Sequence, residues 1–559
     1  MSARHPFRME TLESRDMKAG DVAAYIQDGN LFLNEAAGQL GQDNGVQVSQ
    51  LANGKIKIEG VSAAGGAASL INGTASQEFT VTGGLYVNFG GGKDKVQFTF
   101  LGETVELAEL YINVGADALG EADKDVVSLN KITTRGSLTI LTGASNDQVY
   151  ISSTTVGDGV GADQALIRTG SGADTLLFKT RGEVHGLIDV QTYDSLAESD
   201  ADVVSFTGLI TVDKNIIVRT GGGDDYFMVG SLSDPMSQIN HLTVNRGVTV
   251  ETGEGADQVL VAQLVVGTQI LDDAMMIRSG AGADVVTIDN SWFENLSVQT
   301  YDSLIENDAD AVMLKQTYVA GDVTVETGGG ADTFFITDPA DANVVYGAYM
   351  QSLYVNTGAG ADRVHIEGAN INNEFGGTGD FTLYTGAGAD AVLLDWTPIN
   401  LPNYGKYVFK VTGNLVIQTY EHETEVDADS IRMTKGWIGD SLWAKLGAGD
   451  DSFTLDNAEY IANDLTLEAG AGADAASLSG FIYDHVMAKM GAGDDALSIG
   501  RLWAYRLIAV GDAGVDRLTK GNEVYAQNVD QFGWEYINGV RQKSWPPITT
   551  TKTATVKQI

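Results

Sequence analysis

Apolar and polar residues alternate along short segments of this chain, and a glycine-rich turn separates one segment from the next. Val248 and Val250 precede one such turn, and Val259 and Val261 follow it. A period of two is typical of strands that bury one face, whereas an α-helix repeats about every 3.6 residues. The pattern therefore predicts a strand, a tight turn and a second strand, and no helical period competes with it.

The turn has the pattern Gly-x-Gly-x-Asp, and one regular copy is Thr-Gly-Gly-Gly-Ala-Asp at residues 327–332. We expect the first Gly to leave the incoming strand with a positive φ, and the second to let neighbouring backbone pass close to the turn. Asp332 closes the turn. Variants of the pattern return from about residue 90 to about residue 516.

The Asp that ends each turn recurs at intervals of 21 to 39 residues. A minimum near 21 residues with longer excursions is expected of a solenoid whose coils share a fixed circuit of strands and accept insertions at one corner. A propeller blade would need nearly twice as many residues. We therefore predict an all-β fold, a parallel β-helix of about 17 or more coils whose Asp turns align on one corner.

Three longer loops begin with Gln-Thr-Tyr at Gln191, Gln299 and Gln418, and they replace the Gly turn at every fourth coil. This spacing indicates duplication of a four-coil block, and a weaker copy of the loop runs from Asn113 to Asp125. Each loop could supply several oxygens to one cation, although a solvated acidic loop explains the same residues. The acidic residues are Asp194, Glu198, Asp200 and Asp202 in the first loop, Asp302, Glu306, Asp308 and Asp310 in the second, and Glu421, Glu423, Glu425, Asp427 and Asp429 in the third.

The pattern also divides the chain into segments. Residues 1–20 are leader-like, and residues 21–88 hold an N-terminal cap and the first coils. The repeat array covers residues 89–520, an aromatic-rich C-terminal cap covers residues 521–545, and residues 546–559 form a tail. We expect caps because an open β-helix end exposes unpaired backbone and apolar core.

The composition limits the classes of function. The 559 residues include 75 Asp and Glu against 34 Lys and Arg, which gives a net charge of −41. Such a surface repels nucleic acid and anionic lipid, and it attracts divalent cations or basic partners. No apolar run approaches the roughly 18 residues that a membrane span needs. Cysteine is absent, so stability rests on neither disulfides nor thiolate metal sites.

Written as Thr-Gly-x-Gly-x-Asp-x-Φ-x, where Φ is apolar, each turn resembles the nonapeptide Gly-Gly-x-Gly-x-Asp-x-Φ-x of the RTX (repeats-in-toxin) calcium β-roll family. The resemblance implies that Asp carboxylates and turn carbonyls of successive coils hold Ca²⁺, a cation that prefers hard oxygen ligands. This chain departs from the family because it has one motif in 21 or more residues, whereas an RTX coil has two in about 18.

The candidate Ca²⁺ ligands are the Asp residues that end the turns and the three long loops. They are Asp94, Asp147, Asp174, Asp225, Asp257, Asp284, Asp332, Asp362, Asp390, Asp451, Asp474 and Asp495 in turns, and Asp202, Asp310 and Asp429 in the loops. A second explanation needs no metal, because Asp accepts backbone N–H groups within its own Asx-turn in many proteins.

The N-terminus resembles another known pattern. Residues 7–17, Phe-Arg-Met-Glu-Thr-Leu-Glu-Ser-Arg-Asp-Met, are similar to the Leu-Glu-x-Arg-x-(Leu/Met) leader of many large exported or surface proteins of planctomycete bacteria. The commonest form has Pro after Glu, where this chain has Ser14. The resemblance implies an extracellular or cell-surface location, whereas a disordered polar start explains the same residues without export.

Right-handed β-helices also carry polysaccharide lyases, hydrolases and epimerases, so the fold alone admits catalysis. The carboxylates here are nearly identical from coil to coil, and no pair stands out as a catalytic acid and base. The six His residues form no His-x-x-x-His pair. We therefore expect a structural or adhesive rod that binds Ca²⁺, with surface polysaccharide or other copies of a surface protein as partners. A polysaccharide-active enzyme is the alternative.

Overall fold

The computed structural model describes residues 20–38, 41–63, 65–115, 123–179, 181–195, 197–230, 242–267, 274–303, 306–337, 348–372, 379–395, 409–422 and 424–541. The chain forms two compact units, Met1–Thr175 and Leu176–Ile559. Within the described residues the regular structure is β-strand, and no helix there is long and apolar enough to cross a bilayer. Residues 1–19 of the predicted leader, the predicted tail and most of the weaker loop copy before Asp125 lie outside the described residues.

Fifteen strands lie in the described part of the first unit. They are β1 (Val22–Gln27), β2 (Asn30–Glu35), β3 (Gly45–Gln50), β4 (Ile56–Gly60), β5 (Ser76–Phe79), β6 (Leu85–Asn88), β7 (Lys95–Phe98), β8 (Val105–Leu107), β9 (Leu110–Asn113), β10 (Val126–Asn130), β11 (Ile132–Thr134), β12 (Leu138–Leu141), β13 (Gln148–Ser152), β14 (Thr155–Val156) and β15 (Gln164–Arg168).

The second unit follows with strands of similar length. They are β16 (Thr175–Lys179), β17 (Gly182–Val184), β18 (Leu187–Gln191), β19 (Val203–Thr207), β20 (Ile210–Val212), β21 (Ile216–Arg219), β22 (Tyr226–Val229), β23 (Leu242–Val244), β24 (Val248–Glu254), β25 (Gln258–Ala262), β26 (Leu264–Val266), β27 (Ala274–Ala281), β28 (Val285–Asp289), β29 (Trp292–Phe293), β30 (Asn295–Gln299), β31 (Ala311–Lys315), β32 (Tyr318–Val319), β33 (Asp322–Glu326), β34 (Thr333–Thr337), β35 (Tyr349–Met350), β36 (Ser352–Asn356), β37 (Arg363–Glu367), β38 (Asn370–Ile371), β39 (Phe381–Tyr384), β40 (Ala391–Asp395), β41 (Lys410–Val411), β42 (Leu415–Gln418), β43 (Ser430–Thr434), β44 (Trp437–Ile438), β45 (Leu442–Lys445), β46 (Ser452–Ile461), β47 (Leu465–Ala471), β48 (Ala475–Ile482), β49 (His485–Ala492), β50 (Ala496–Val510), β51 (Arg517–Lys520), β52 (Val524–Phe532), β53 (Tyr536–Ile537) and β54 (Val540–Arg541).

The strands of the first unit stack in three parallel columns, which we name by their place in the coil. Column C leads into the Asp turns and contains β2, β6, β9, β12 and β15. Column A follows the turns and contains β3, β7, β10 and β13, and column B contains β8, β11 and β14. Antiparallel pairing joins β1 to β2 and joins β4 to both β3 and β5. These antiparallel strands fall in residues 21–88, where we predict the N-terminal cap, although its boundaries stay a prediction.

The second unit repeats the three columns, with successive coils paired in parallel. Column A runs from β16 through every third strand to β43, column B from β17 to β44, and column C from β18 to β45. In the last coils the strands fuse along the chain, because β46 serves columns A and B and β50 serves all three. The prediction of an all-β parallel β-helix is confirmed.

The extra residues of the longer coils fall at all three corners, and the prediction of a single insertion corner is wrong. The long loops lie between columns C and A, residues 230–241 separate β22 from β23, and residues 267–273 separate β26 from β27. Each parallel column pairs independently of the others, so a corner can lengthen without changing the register of the strands that flank it.

The core consists of apolar side chains stacked in register from coil to coil. In column C of the second unit, Val325 pairs with Val355, Val355 with Leu383, and Leu383 with Ile417. All four side chains are at most 1 % exposed. Burial of each such side chain contributes roughly 1.5–3 kcal/mol, and the alternation along each strand decides which residues are buried.

Both glycines of the Asp turns have the conformation that the sequence predicts. In the turn at residues 327–332, φ is 94° at Gly328 and 138° at Gly330. A Cβ atom on Gly330 would lie 1.7 Å from the carbonyl oxygen of Asp308 in the preceding coil. The turns of adjacent coils also bond directly, because the Gly330 N–H donates to the Ala359 carbonyl at 2.6 Å. Glycine is therefore needed both for positive φ and for close approach.

We predict that Gly360→Ala destabilises the second unit much more than Gly539→Ala. A Cβ atom at Gly360, where φ is 144°, would lie 1.5 Å from the Gly330 carbonyl oxygen. Gly539 also has a positive φ, 75°, but a Cβ there would meet nothing within 4 Å. Gly539→Ala, the control, should lower the free energy of unfolding by about 1 kcal/mol through backbone strain alone, and Gly360→Ala should lower it more. Thermal or denaturant unfolding of both variants measures the difference, and equal losses would contradict the packing of the turns.

Candidate functional site

The Asp residues at the ends of the turns and loops form one aligned set in each unit, which we name the Asp column. Each lies directly before a strand of column A, at the corner where the chain leaves column C. The first unit contributes Asp94, Asp125, Asp147 and Asp174, and the second contributes Asp202, Asp225, Asp257, Asp284, Asp310, Asp332, Asp362, Asp390, Asp429, Asp451, Asp474, Asp495 and Asp516. All are between 0 and 4 % exposed, which is unusual for a carboxyl group.

A backbone hydrogen bond links each member of the column to the next coil. The N–H group of Asp332 donates to Oδ1 of Asp362 at 2.8 Å, and the N–H group of Asp362 donates to Oδ1 of Asp390 at 2.8 Å. The same bond, at 2.7–3.0 Å, joins consecutive members throughout both units. The carboxyl oxygen therefore satisfies a buried backbone donor of the neighbouring coil, whereas an Asx-turn would bond within one coil.

A residue outside the repeat extends the ladder of bonds in each unit. In the first unit the Asn44 N–H donates to Oδ1 of Asp94 at 2.8 Å. In the second unit the Asp516 N–H donates to Oε2 of Glu535 at 2.8 Å, so that a Glu takes the place of the next Asp. Sequence reasoning missed both residues, because neither stands in a Gly-x-Gly-x-Asp pattern.

The second carboxyl oxygen, Oδ2, has different surroundings in different coils. The hydroxyl of Thr327, the first residue of its turn, donates to Oδ2 of Asp332 at 2.6 Å, and Thr300 does the same for Asp310 at 2.5 Å. Thr192 bonds to Asp202 in the same way. These hydroxyls supply the donor that a buried carboxylate oxygen needs.

Five turns lack such a hydroxyl at their first position, where they have Phe89, Leu446, Ala469, Met490 or Gly511. Their Asp residues are Asp94, Asp451, Asp474, Asp495 and Asp516, whose Oδ2 atoms are buried and accept no hydrogen bond. The last four belong to consecutive coils of the second unit. The Oδ2 atoms of some turns that begin with Thr or Ser also accept none, namely those of Asp147, Asp225, Asp257, Asp284, Asp362 and Asp390. An ionised carboxylate in such a place is costly unless a proton or a cation neutralises it.

Burial raises the pKa of fifteen members of the column, because removal from water disfavours the charged form. The pKa of Asp332, beside the Thr327 hydroxyl, is raised to about 6. Burial raises the pKa of Asp474, which has no such hydroxyl, to about 7. Burial together with the nearby charge of Asp147 raises the pKa of Asp125 to about 10. Much of the column is therefore able to hold protons near neutral pH.

The column supplies oxygen ligands suited to Ca²⁺, but few to any one position. Ca²⁺ takes six to eight oxygens, and the unpartnered Oδ2 atoms are hard, anionic ligands of the right type. Among the described residues, however, no three members of the column bring carboxylate oxygens within 4.8 Å of one another. An ion held there would need carbonyl oxygens or water as further ligands. Calcium binding by the fifteen predicted residues stays a prediction.

The three long loops keep the register of the corner while adding residues to it. In each loop a Tyr occupies the place of the first turn glycine, namely Tyr193, Tyr301 and Tyr420. The first glycine of the next coil stacks directly on it, because a Cβ on Gly328 would lie 2.6 Å from the Cβ of Tyr301. The Gln299 side-chain amide donates to the Tyr301 carbonyl at 3.0 Å, and the other two loops have the equivalent bond. The loops are therefore insertions into a preserved turn.

Each long loop contains a half-buried Glu, namely Glu198, Glu306 and Glu425. In the third loop the N–H groups of Glu421 and His422 donate to the carboxylate of Glu425 at 3.0 and 2.9 Å. Burial raises the pKa of the equivalent Glu198 to about 7, and Asp194 and Asp200 raise it further by charge. The backbone of the third loop thus holds the carboxylate of Glu425, whereas Asp429 at the end of that loop is buried in the Asp column. Leu196, Leu304 and Glu423 lie outside the described residues.

Sequence reasoning also missed a row of aromatic side chains along column B of the second unit. Trp437, Tyr460, Phe481, Trp503 and Tyr525 succeed one another with ring centroids 5.0–6.2 Å apart and planes within 33° of parallel. Stacked rings cover one another's faces and turn their edges to solvent. The signal was present, because these residues recur every 21 to 23 positions.

The described histidines contact nearby carboxylates. His185 Nδ1 lies 2.8 Å from Asp213, and His365 Nε2 lies 3.3 Å from Glu367. His422 lies next to Glu421, and His485 contacts two Asp residues. His5 and His241 lie outside the described residues.

No family model matches this chain, and the searches of curated proteins and of solved structures also returned no match. The resemblances to RTX repeats and to the exported leader therefore rest on their motifs alone.

We predict that Asp474→Asn stabilises the protein above neutral pH and leaves its stability unchanged near pH 4, in the presence of chelator. Asn keeps the Oδ1 acceptor for the Asp451 N–H but carries no charge. The pKa of Asp474 is raised on folding, so the native state binds the extra proton. The stabilisation that this proton gives the parent is complete below the pKa of Asp474 in the unfolded chain, and it is lost as pH rises through the folded-state pKa of about 7.

Melting temperatures across the range from about pH 4 to about pH 9 measure this effect. Asp450→Asn is the matched control, because Asp450 is exposed in the turn of the preceding coil and its Oδ1 accepts the Ala473 N–H of the Asp474 turn at 2.8 Å. The control should change the pH profile little. A less stable Asp474→Asn variant at high pH would show that the buried charge is needed.

Proposed function

We propose that this protein is an extracellular or cell-surface structural and adhesive solenoid that binds Ca²⁺ through its Asp column. The observation that carries the proposal is the run of buried, unpartnered Oδ2 atoms at Asp451, Asp474, Asp495 and Asp516. These oxygens repeat from coil to coil and lack a donor, so that each must be neutralised by a proton or a cation.

Electrostatics supports a cation as the partner of the ionised column. Neighbouring carboxylates one strand spacing apart, about 4.8 Å, repel by about 3.5 kcal/mol at an effective dielectric of 20. The net charge of −41 adds a long-range attraction for divalent cations. A cation therefore removes the same penalty at high pH that protons remove at low pH.

The repetition of one corner supports a structural role. The same turn, the same buried Asp and the same interstrand register recur along the second unit, and a scaffold needs such uniformity more than a catalyst does. The exposed aromatic row is a candidate adhesive surface, with Trp503 and Tyr525 each 49 % exposed. Surface polysaccharide and other copies of a surface protein are the partners that we propose.

A polysaccharide-active enzyme remains the alternative function. Incubation with acidic polysaccharides separates the two proposals, because a scaffold binds without turnover and an enzyme releases shorter or unsaturated products. Products that form in proportion to protein concentration would overturn the structural proposal.

We predict that Ca²⁺ raises the melting temperature at about pH 8 and that excess chelator lowers it, since a ligand of the folded state stabilises by mass action. The double variant Asp474→Asn/Asp495→Asn should bind fewer Ca²⁺ ions than the parent in isothermal titration. Asp332→Asn is the matched comparison, because the Thr327 hydroxyl already serves its Oδ2, and it should lose less binding. A parent whose melting curve is the same in Ca²⁺ and in chelator would contradict calcium binding.

A further inference from the structure

Three side chains outside the Asp column converge where column C of the second unit begins. Asp464 directly precedes β47, and Asp484 and His485 stand at the start of β49. Leu465 pairs in register with Val486, so Asp464 and His485 occupy equivalent positions in adjacent coils. The His485 backbone N–H donates to Oδ1 of Asp464 at 3.0 Å, which holds the two residues together.

The imidazole of His485 lies between the two carboxylates. Its Nδ1 atom is 3.0 Å from Oδ1 of Asp464 and 3.1 Å from Oδ1 of Asp484. The three ligand atoms all lie within 4.8 Å of one another, and this is the only such group of three among the described residues. A ring nitrogen carries at most one proton, so Nδ1 cannot donate a separate hydrogen to each carboxylate.

These distances suit a shared metal ion. Two ligands at about 2.1 Å from one ion and at right angles to each other are about 3.0 Å apart. Imidazole nitrogen with carboxylate oxygen is a donor set for first-row divalent metals, whereas Ca²⁺ prefers oxygen alone. The side chains are 40–46 % exposed, which leaves the remaining coordination positions open to water.

We propose that Asp464, Asp484 and His485 bind one divalent transition-metal ion through His485 Nδ1 and one oxygen of each carboxylate. The ion bridges two successive coils. This site uses no member of the Asp column, so it does not depend on calcium binding there.

His185 provides an internal comparison. Its Nδ1 contacts one carboxylate, Asp213, at 2.8 Å, and Glu183 lies 3.8 Å from the other ring nitrogen, Nε2. The two carboxylates therefore approach different ring atoms and do not converge on one point. His185→Ala removes a partly exposed His–Asp pair without removing the proposed site.

Isothermal titration with Zn²⁺, at neutral pH and with Ca²⁺ present to fill sites made of oxygen alone, tests the proposal. The parent should bind one equivalent of Zn²⁺ more tightly than all others, and this equivalent is the high-affinity class. His485→Ala and Asp484→Asn should each weaken that class at least tenfold, and His185→Ala should leave it unchanged. Co²⁺ absorption should change with His485→Ala and not with His185→Ala, which reports the imidazole ligand independently of affinity.

Two results would overturn the proposal. One is undiminished Zn²⁺ affinity in Asp484→Asn, whose amide keeps the size of the carboxylate and leaves the coil intact. The other is equal loss of Zn²⁺ in His185→Ala and His485→Ala, which would show that histidines on this acidic surface bind the metal without a built site. Calcium uptake by the Asp column is expected to be the same in all three variants, so the failure of one proposal is distinguishable from failure of the other.

Discussion

The fold depends on one backbone N–H group in each coil, that of the corner Asp. At this corner the chain passes from column C to column A, and the acceptor in the adjacent coil is a side chain and not a backbone carbonyl. Within each unit the carboxyl oxygen of the next Asp accepts the N–H group at 2.7–3.0 Å, and Glu535 accepts that of Asp516. A buried donor must find a partner, so the corner requires an acceptor side chain at each coil. The same requirement places a carboxyl group in the interior.

This solution leaves the other carboxyl oxygen to be satisfied. Some turns do so locally with a Thr hydroxyl, as at Thr327 and Asp332, where the pKa is raised to about 6. The final coils, from Asp451 to Asp516, have no hydroxyl and leave the oxygen without a donor. Protons and divalent cations then compete for the same buried oxygens, because each removes the charge that burial penalises. The stability of the coils is thereby linked to the pH and cation content of the surroundings.

Local pattern was enough to predict the fold class. The two-residue period, the Gly-x-Gly-x-Asp turn and the 21-residue minimum predicted strands, corner and parallel stacking, because each depends on residues close in sequence. The interactions of the site depend on residues one coil apart and were not visible. The Asp–Asp bond crosses between coils, Glu535 replaces an Asp outside the motif, and Asp464 meets His485 only because the coils are in register. The insertion corners were also missed, since sequence spacing gives coil length and not the position of the extra residues.

A comparison of proton binding by the folded and unfolded protein, by potentiometric titration in the presence of chelator, tests the account most directly. Buried corner carboxyls with raised pKa values predict that the folded protein holds several more protons than the unfolded chain between about pH 5 and about pH 7. The excess should disappear when Ca²⁺ is added, if cations take the place of the protons. Superimposable titration curves in chelator would contradict the account, because they would show that the corner Asp residues are ionised as easily inside the coils as in water.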